Sequence, residues 1–180
     1  MRLSAPADSL LEILEIRALG VDDMSNARYV VSAPFVRVAA EHYTRPQIEA
    51  FVDFVRSPHY SDLLLGNRAY GAFIGAEMVG VAAWSVGEMK SPTARLLSVF
   101  VLPLFGGNGI GTRLVEYLEE EARASGYRAQ EVSAILGATG FFEQLGYHET
   151  RRGSWALPSG RAIPVAMMRK IGGGRSDVMH

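Results

Sequence analysis

A chain of 180 residues, 48% hydrophobic and 21% charged, is long enough to close one full hydrophobic core, and its composition excludes a largely disordered protein. Its 18 basic and 19 acidic residues leave a formal charge of -1, which excludes the overall positive field used to gather nucleic acid or anionic lipid. The absence of cysteine excludes disulfides, thiolate zinc sites and cysteine nucleophiles, and fits the cytoplasm.

Along the chain, Asp8 and Glu12 interrupt the N-terminus before any long apolar run, so neither a signal peptide nor a membrane span is expected. Leu11 to Leu19 reads as a first strand, and Asp22 or Asp23 as the cap of a helix through Ala27 to Val31. Thr44-Arg45-Pro46-Gln47 starts a second helix, with Ile48, Phe51, Val52 and Val55 at helical spacing and a stop near Ser57-Pro58. Ala69 to Ile74 and Val79 to Val86 read as a hairpin, and Ala94 to Val101 as a further strand. From Gly109 the period returns to helical, ending at Ser125-Gly126. Gln130 to Leu136 is a strand, Thr139 to Leu145 a short helix, and Tyr147 to Leu157 with Ile163 to Lys170 a last hairpin. The order βααβββαβαββ predicts a single α/β domain over residues 1–171, with a mixed sheet of six to seven strands flanked by helices. A flexible tail is expected over 172–180, where Gly172-Gly173-Gly174 stands.

The segment richest in chemistry runs from Val99 through Leu102-Pro103 and Gly106-Gly107-Asn108-Gly109-Ile110-Gly111-Thr112, a strand passing through a glycine loop into an amphipathic helix. A helix N-terminus leaves backbone N–H groups unpaired and carries the positive end of the macrodipole, and glycines let an anion come close, so a pyrophosphate is the natural guest. A P-loop is excluded because Thr112-Arg113 stands where Lys-Ser/Thr is needed. A Rossmann loop is excluded by the glycine spacing and by the position beyond the middle of the chain. On these residues alone, a plain glycine-rich strand-to-helix turn stays open as the alternative.

Val101-x-Pro103 with Gly109-Ile110-Gly111 resembles motif A of the GNAT superfamily of acyl-CoA-dependent N-acetyltransferases, and Ala138-Thr139-Gly140-Phe141-Phe142-Glu143-Gln144-Leu145-Gly146-Tyr147 is similar to its motif B. The resemblance covers nearly the whole chain and implies the GNAT fold, acetyl-CoA as cosubstrate and a primary amine as acceptor. It implies that Val99, Phe100 and Val101 contact pantetheine, and that Gly106, Gly107, Asn108, Gly109, Ile110, Gly111 and Thr112 cradle the phosphates. Phe142 falls at the reacting end, where many members carry tyrosine as the acid for the CoA thiolate, and Gly106 stands where Arg or Gln is usual. These departures keep a second function in view, a non-catalytic acyl-CoA-binding or sensing module with the same fold.

No residue declares itself as the general base, and no metal-ligand spacing is present, so no metal is expected. Glu88 reads as a solvated turn carboxylate, and His148 as a surface strand residue. The pairs His42-Tyr43 and His59-Tyr60 read as packing at helix boundaries, and Trp84 and Trp155 as core or interface aromatics. Glu116, Glu119, Glu120 and Arg123 read as a solvated helix face, with Glu119 and Arg123 an i,i+4 pair. The family's association through sheet edges and Trp155 on an edge-prone hairpin point to a homodimer, with a monomer as the alternative.

Overall fold

The computed structural model describes residues 7–86 and 92–172, so Glu88 and the tail beyond Gly172 lie outside the described residues. A short helix, α1 (Ala7–Glu12), occupies the start of the segment read as strand, and β1 spans only Leu14–Ala18. The expected helix after Asp23 is much longer than its apolar signature: α2 runs Met24–Ala39 with Pro34 inside it. Asp23 sits at its N-cap but turns its carboxylate away from the helix, accepting from Gly20 N at 2.8 Å and from Arg17 Nη1 and Nη2 at 3.0 Å.

Helix α3 (Arg45–Arg56) begins as expected with a reciprocal cap, in which Gln47 N donates to Thr44 Oγ1 and Thr44 N donates to Gln47 Oε1. Ser57-Pro58 then does two things. It ends α3 and starts α4 (Pro58–Leu65), a helix absent from the expected order, because proline at the first helical position is as compatible with a start as with a stop. Strands β2 (Arg68–Ile74), β3 (Glu77–Val86), β4 (Thr93–Val101) and β5 (Ala129–Ile135), helices α5 (Ile110–Ala124) and α6 (Thr139–Gln144), and strands β6 (His148–Ala156) and β7 (Ala162–Ile171) complete the chain. Helix α5 closes as its sequence predicts: Gly126 has φ +95, Tyr127 N donates to Ala122 O and Gly126 N to Arg123 O.

The seven strands form one sheet in the order β1-β2-β3-β4-β5-β7-β6, antiparallel everywhere except between β4 and β5. One core lies under α2, α3 and α4 on one face, the other under α5 and α6 on the opposite face. Gly80 on β3 permits the second: a Cβ there would fall 2.8 Å from Leu114 Cδ1 of α5.

The parallel pair is the feature that positions the site. Its register runs only from Thr93↔Ala129 to Leu96↔Val132 and then stops. Beyond that point β4 stays bonded to β3, from Ser98↔Ala83 to Gly80↔Val101, while β5 stays bonded to β7 as far as Ile135↔Val165. A bulge between Ala83 and Trp84, which leaves Leu97 without a partner, bends β4 at the place where the two strands part.

Candidate functional site

The wedge between β4 and β5 opens toward the loop that joins β4 to α5. After Val101, a tight turn over Pro103–Phe105 is closed by Gly106 N donating to Pro103 O at 3.1 Å. Gly107 and Gly109 have φ of +75 and +79, a left-handed backbone that side-chain-bearing residues rarely adopt, and Gly109 is the N-cap of α5. Asn108 Nδ2 donates inward to Phe105 O and Gly106 O, bracing the turn. The first turn of α5 therefore presents its unpaired N–H groups, with no acidic residue nearby in that turn to compete with an incoming anion.

A groove of about 440 Å³ runs from this loop into the wedge, within the size range of small-molecule sites. Of the residues singled out in the sequence, Val99, Phe100, Val101, Gly106, Gly107, Gly109, Ile110, Gly111 and Thr112 line it, and Asn108 supports it from behind. Ile110 contributes chiefly backbone, since its residue is 1% exposed and belongs to the core. Gly111 has a packing reason besides any ligand: a Cβ there would meet the Phe141 ring at 3.2 Å.

The groove also takes Pro34 and Val38 from α2, and Gly137, Ala138, Phe141 and Gln144 from the segment after β5. The α2 residues escaped the sequence reading because nothing local signals a contact made about a hundred residues away. Gly137 lets α2 approach, since a Cβ would fall 2.1 Å from Val38 Cγ1 and 3.2 Å from the His42 ring. Tyr43, in the turn between α2 and α3, fixes this wall: its hydroxyl donates to Pro164 O at 2.8 Å and accepts from Leu136 N at 3.0 Å. Tyr43 is thus more than a boundary residue, and burial pushes its phenol up.

At its inner end the wedge narrows to about 40 Å³ between Leu97 to Phe100 on β4 and Val132 to Ile135 on β5. Phe51, Tyr60, Phe142 and Trp155 close it. Phe142 is buried, edge-on to both Phe141 and Tyr147. Trp155 packs edge-on against Phe51 and Phe54. Tyr60 is fully buried, and its hydroxyl lies 3.1 Å from Ser98 Oγ. Among the described residues no carboxylate or imidazole lines this inner end, and its polar side chains are Tyr60, Ser98, Ser133 and Trp155.

Glu119 is not on the solvated face where its spacing put it. It is 6% exposed, accepts from Tyr147 Oη at 2.9 Å and pairs with Lys170 Nζ at 3.0 Å. It therefore bolts α5 to β7 and to Tyr147, the residue just ahead of β6 and in edge-on contact with Phe142. The Tyr147 phenol is held well above its ordinary range by burial and by this carboxylate.

A mixed sheet split between two parallel central strands, with a glycine loop capping the helix at the mouth of the split, is the architecture of the GNAT fold. Residues 35–147 match the model of the Acetyltransferase (GNAT) family, and the chain belongs to that family. Among solved structures, it is similar to a GCN5-related N-acetyltransferase from Rhodopseudomonas palustris, with 24% identity, TM-score 0.77, and coverage of 95% of this chain and 98% of that one. It is similar to a GNAT family acetyltransferase from Brucella melitensis in complex with acetyl-CoA, with 19% identity, TM-score 0.61 and 89% of each chain covered. It is also similar to the PaiA N-acetyltransferase from Thermoplasma acidophilum in complex with coenzyme A, with 16% identity, TM-score 0.61, and coverage of 88% and 98%. No curated protein matches the chain in sequence.

Proposed function

We propose that the protein transfers an acetyl group from acetyl-CoA to a primary amine by direct attack. The observation that carries this reading is the open wedge between β4 and β5, continuous with a left-handed glycine loop at the N-terminus of α5. The donor set suits coenzyme A. The N–H groups of the first turn of α5 match a pyrophosphate, and the edge of β4 from Leu97 to Val101, unpaired toward β5, offers backbone groups to the two amides of pantetheine. The inner end suits an acetyl group: a single water needs about 10–15 Å³ by this measure, so about 40 Å³ admits a few heavy atoms and not a long chain.

The chemistry asks for a neutral amine at the thioester carbon, loss of one proton from nitrogen, and departure of CoA as thiolate. With no carboxylate or imidazole among the described residues of the inner end, the acceptor enters as free base or passes its proton to water. The rate of transfer then climbs with pH up to the acceptor's own amine pKa rather than through a protein group near neutrality. A thiol with pKa about 8.5 leaves without obligatory protonation, which makes phenylalanine at position 142 compatible with turnover. The same phenylalanine favours the second reading, an acyl-CoA-binding module without catalysis, because it supplies no acid.

Thiol release from acetyl-CoA, measured over a panel of small amines, peptide N-termini and lysine peptides, separates the two. Acceptor-dependent release supports the transferase. Tight acetyl-CoA binding with no release above the acceptor-free rate across the panel supports the module.

A further inference from the structure

Two hydroxyl groups, those of Tyr60 and Ser98, meet in the inner wedge. Ser98 lies on β4 one residue before Val99, immediately past the point where β4 leaves β5, and is 6% exposed. Tyr60 reaches it from α4 on the same face of the sheet, itself 1% exposed, with the two oxygens 3.1 Å apart. Two hydroxyls carry two hydrogens, and the contact between them uses one. Neither side chain has another hydrogen-bond partner among the described residues, so one hydrogen is left over at the inner wedge, whose other polar side chains are Trp155 and Ser133, the latter with its Oγ facing Met167 Sδ at 3.3 Å. The phenol is the more acidic of the two and is the better donor, so Tyr60 gives its hydrogen to Ser98 Oγ and the spare hydrogen is the serine's. A buried donor left without a partner is unfavourable, which is a reason for a ligand atom to meet it.

Given that acetyl-CoA occupies the groove as proposed above, we infer that Ser98 donates a hydrogen bond to the acetyl carbonyl oxygen, with Tyr60 as the positioning residue that orients the serine hydroxyl. As the amine nitrogen bonds to the carbonyl carbon, the C=O π electrons move onto oxygen, and the Ser98 hydrogen bond strengthens with that charge. Collapse reforms C=O and breaks the C–S bond, whose electrons leave on sulfur. The proton lost from nitrogen goes to water, and Ser98 and Tyr60 end with the protons they began with. A proton-donating role toward sulfur fits less well: burial pushes the Tyr60 phenol up, far above a thiol, so transfer to thiolate is uphill. The same shift keeps the pair neutral, a fixed dipole aimed at developing charge.

The test reads the carbonyl itself and needs no knowledge of the acceptor. Infrared difference spectra of [1-¹³C]acetyl-CoA bound to the wild-type protein show the thioester band at lower wavenumber than in free acetyl-CoA. Ser98→Ala returns the band to the free position with acetyl-CoA affinity retained, Ser98→Thr restores the shift, and Tyr60→Phe falls between. With any acceptor that turns over, Ser98→Ala lowers kcat by about 10²-fold with little change in KM for acetyl-CoA, as for loss of one oxyanion donor. A serine that only fills space leaves the band unmoved on substitution, and an unchanged band in Ser98→Ala overturns the assignment. Absence of acetyl-CoA binding to the wild type overturns the reading of the groove, whereas binding with an unshifted band overturns the role of Ser98 alone.

Discussion

At the scale of single residues, Gly109, Gly111 and the phenylalanine at the inner wedge make the sharpest predictions. Gly109 caps α5 at φ +79, so Gly109→Val forces a β-branched residue into a conformation costing about 1–3 kcal/mol and re-aims the first-turn N–H groups. Calorimetric titration with coenzyme A is expected to show affinity reduced at least about tenfold in a folded variant, and unchanged affinity would contradict the loop as the phosphate site. Gly111→Val acts differently, by pressing on Phe141, and is expected to lower thermal stability as well as binding. Phe142→Tyr places a hydroxyl at the inner end of the wedge and is expected to accelerate thiol release by up to about 10²-fold, the low end for general acid catalysis. A lower melting temperature with unchanged turnover would show instead that the hydroxyl is buried without a partner among Phe141 and Tyr147.

At the scale of elements, two polar anchors decide how the helices sit on the sheet. Glu119, its side chain 7% exposed, links α5 to Lys170 and Tyr147, and Glu119→Ala strands both partners. Because the Lys170 side chain is 28% exposed and regains water, the loss belongs at the lower end for a broken buried pair, about 3 kcal/mol by chemical denaturation. Glu119→Gln keeps an acceptor for Tyr147 and is expected to lose less. The second anchor joins β1 to α2: the Arg17 guanidinium, with Gly20 N, holds the Asp23 carboxyl below its usual range. A carboxyl whose folded pKa is depressed stabilises the fold above its unfolded value of about 3.9, and that contribution is lost as pH falls through the folded value. Asp23→Asn is expected to be less stable than wild type at pH 6, with the two converging as pH falls below the folded value.

These elements also show what a sequence makes legible. Helix α5 and its loop stood out because their signals are local: glycines at fixed offsets, apolar residues four apart, and Gly126 at the close. Helix α4 was hidden by Pro58, since proline after serine marks an end and a beginning equally well. Glu119 was misplaced because charge spacing along a helix says nothing of a lysine and a tyrosine arriving from β7 and the end of α6. The partnership of Tyr60 with Ser98 spans 38 residues and has no local signature; only the fold brings it into the wedge.

At the scale of the whole molecule, the sheet has two free edges, β1 and β6, and both bear on association. One of the two grounds for the expected homodimer was Trp155, whose ring is engaged with Phe51 and Phe54 of the same chain. Strand β6 carries exposed Glu149, Arg151 and Arg152 around a bulge, features that discourage edge-to-edge pairing. Sedimentation at micromolar concentration is accordingly expected to show a monomer of 19.6 kDa. Among the described residues, no helix is long and apolar enough to cross a membrane.

One continuous groove, from the glycine loop to the parting of β4 and β5, is expected to receive acetyl-CoA with its thioester at the inner end. A crystal structure of the protein with acetyl-CoA tests it most directly. The pyrophosphate is expected against the backbone of Gly106 to Thr112, pantetheine along Val99 to Val101, and the acetyl group beside Ser98 and Phe142. Density for the cosubstrate at any other surface, with the wedge between β4 and β5 left empty, would contradict it.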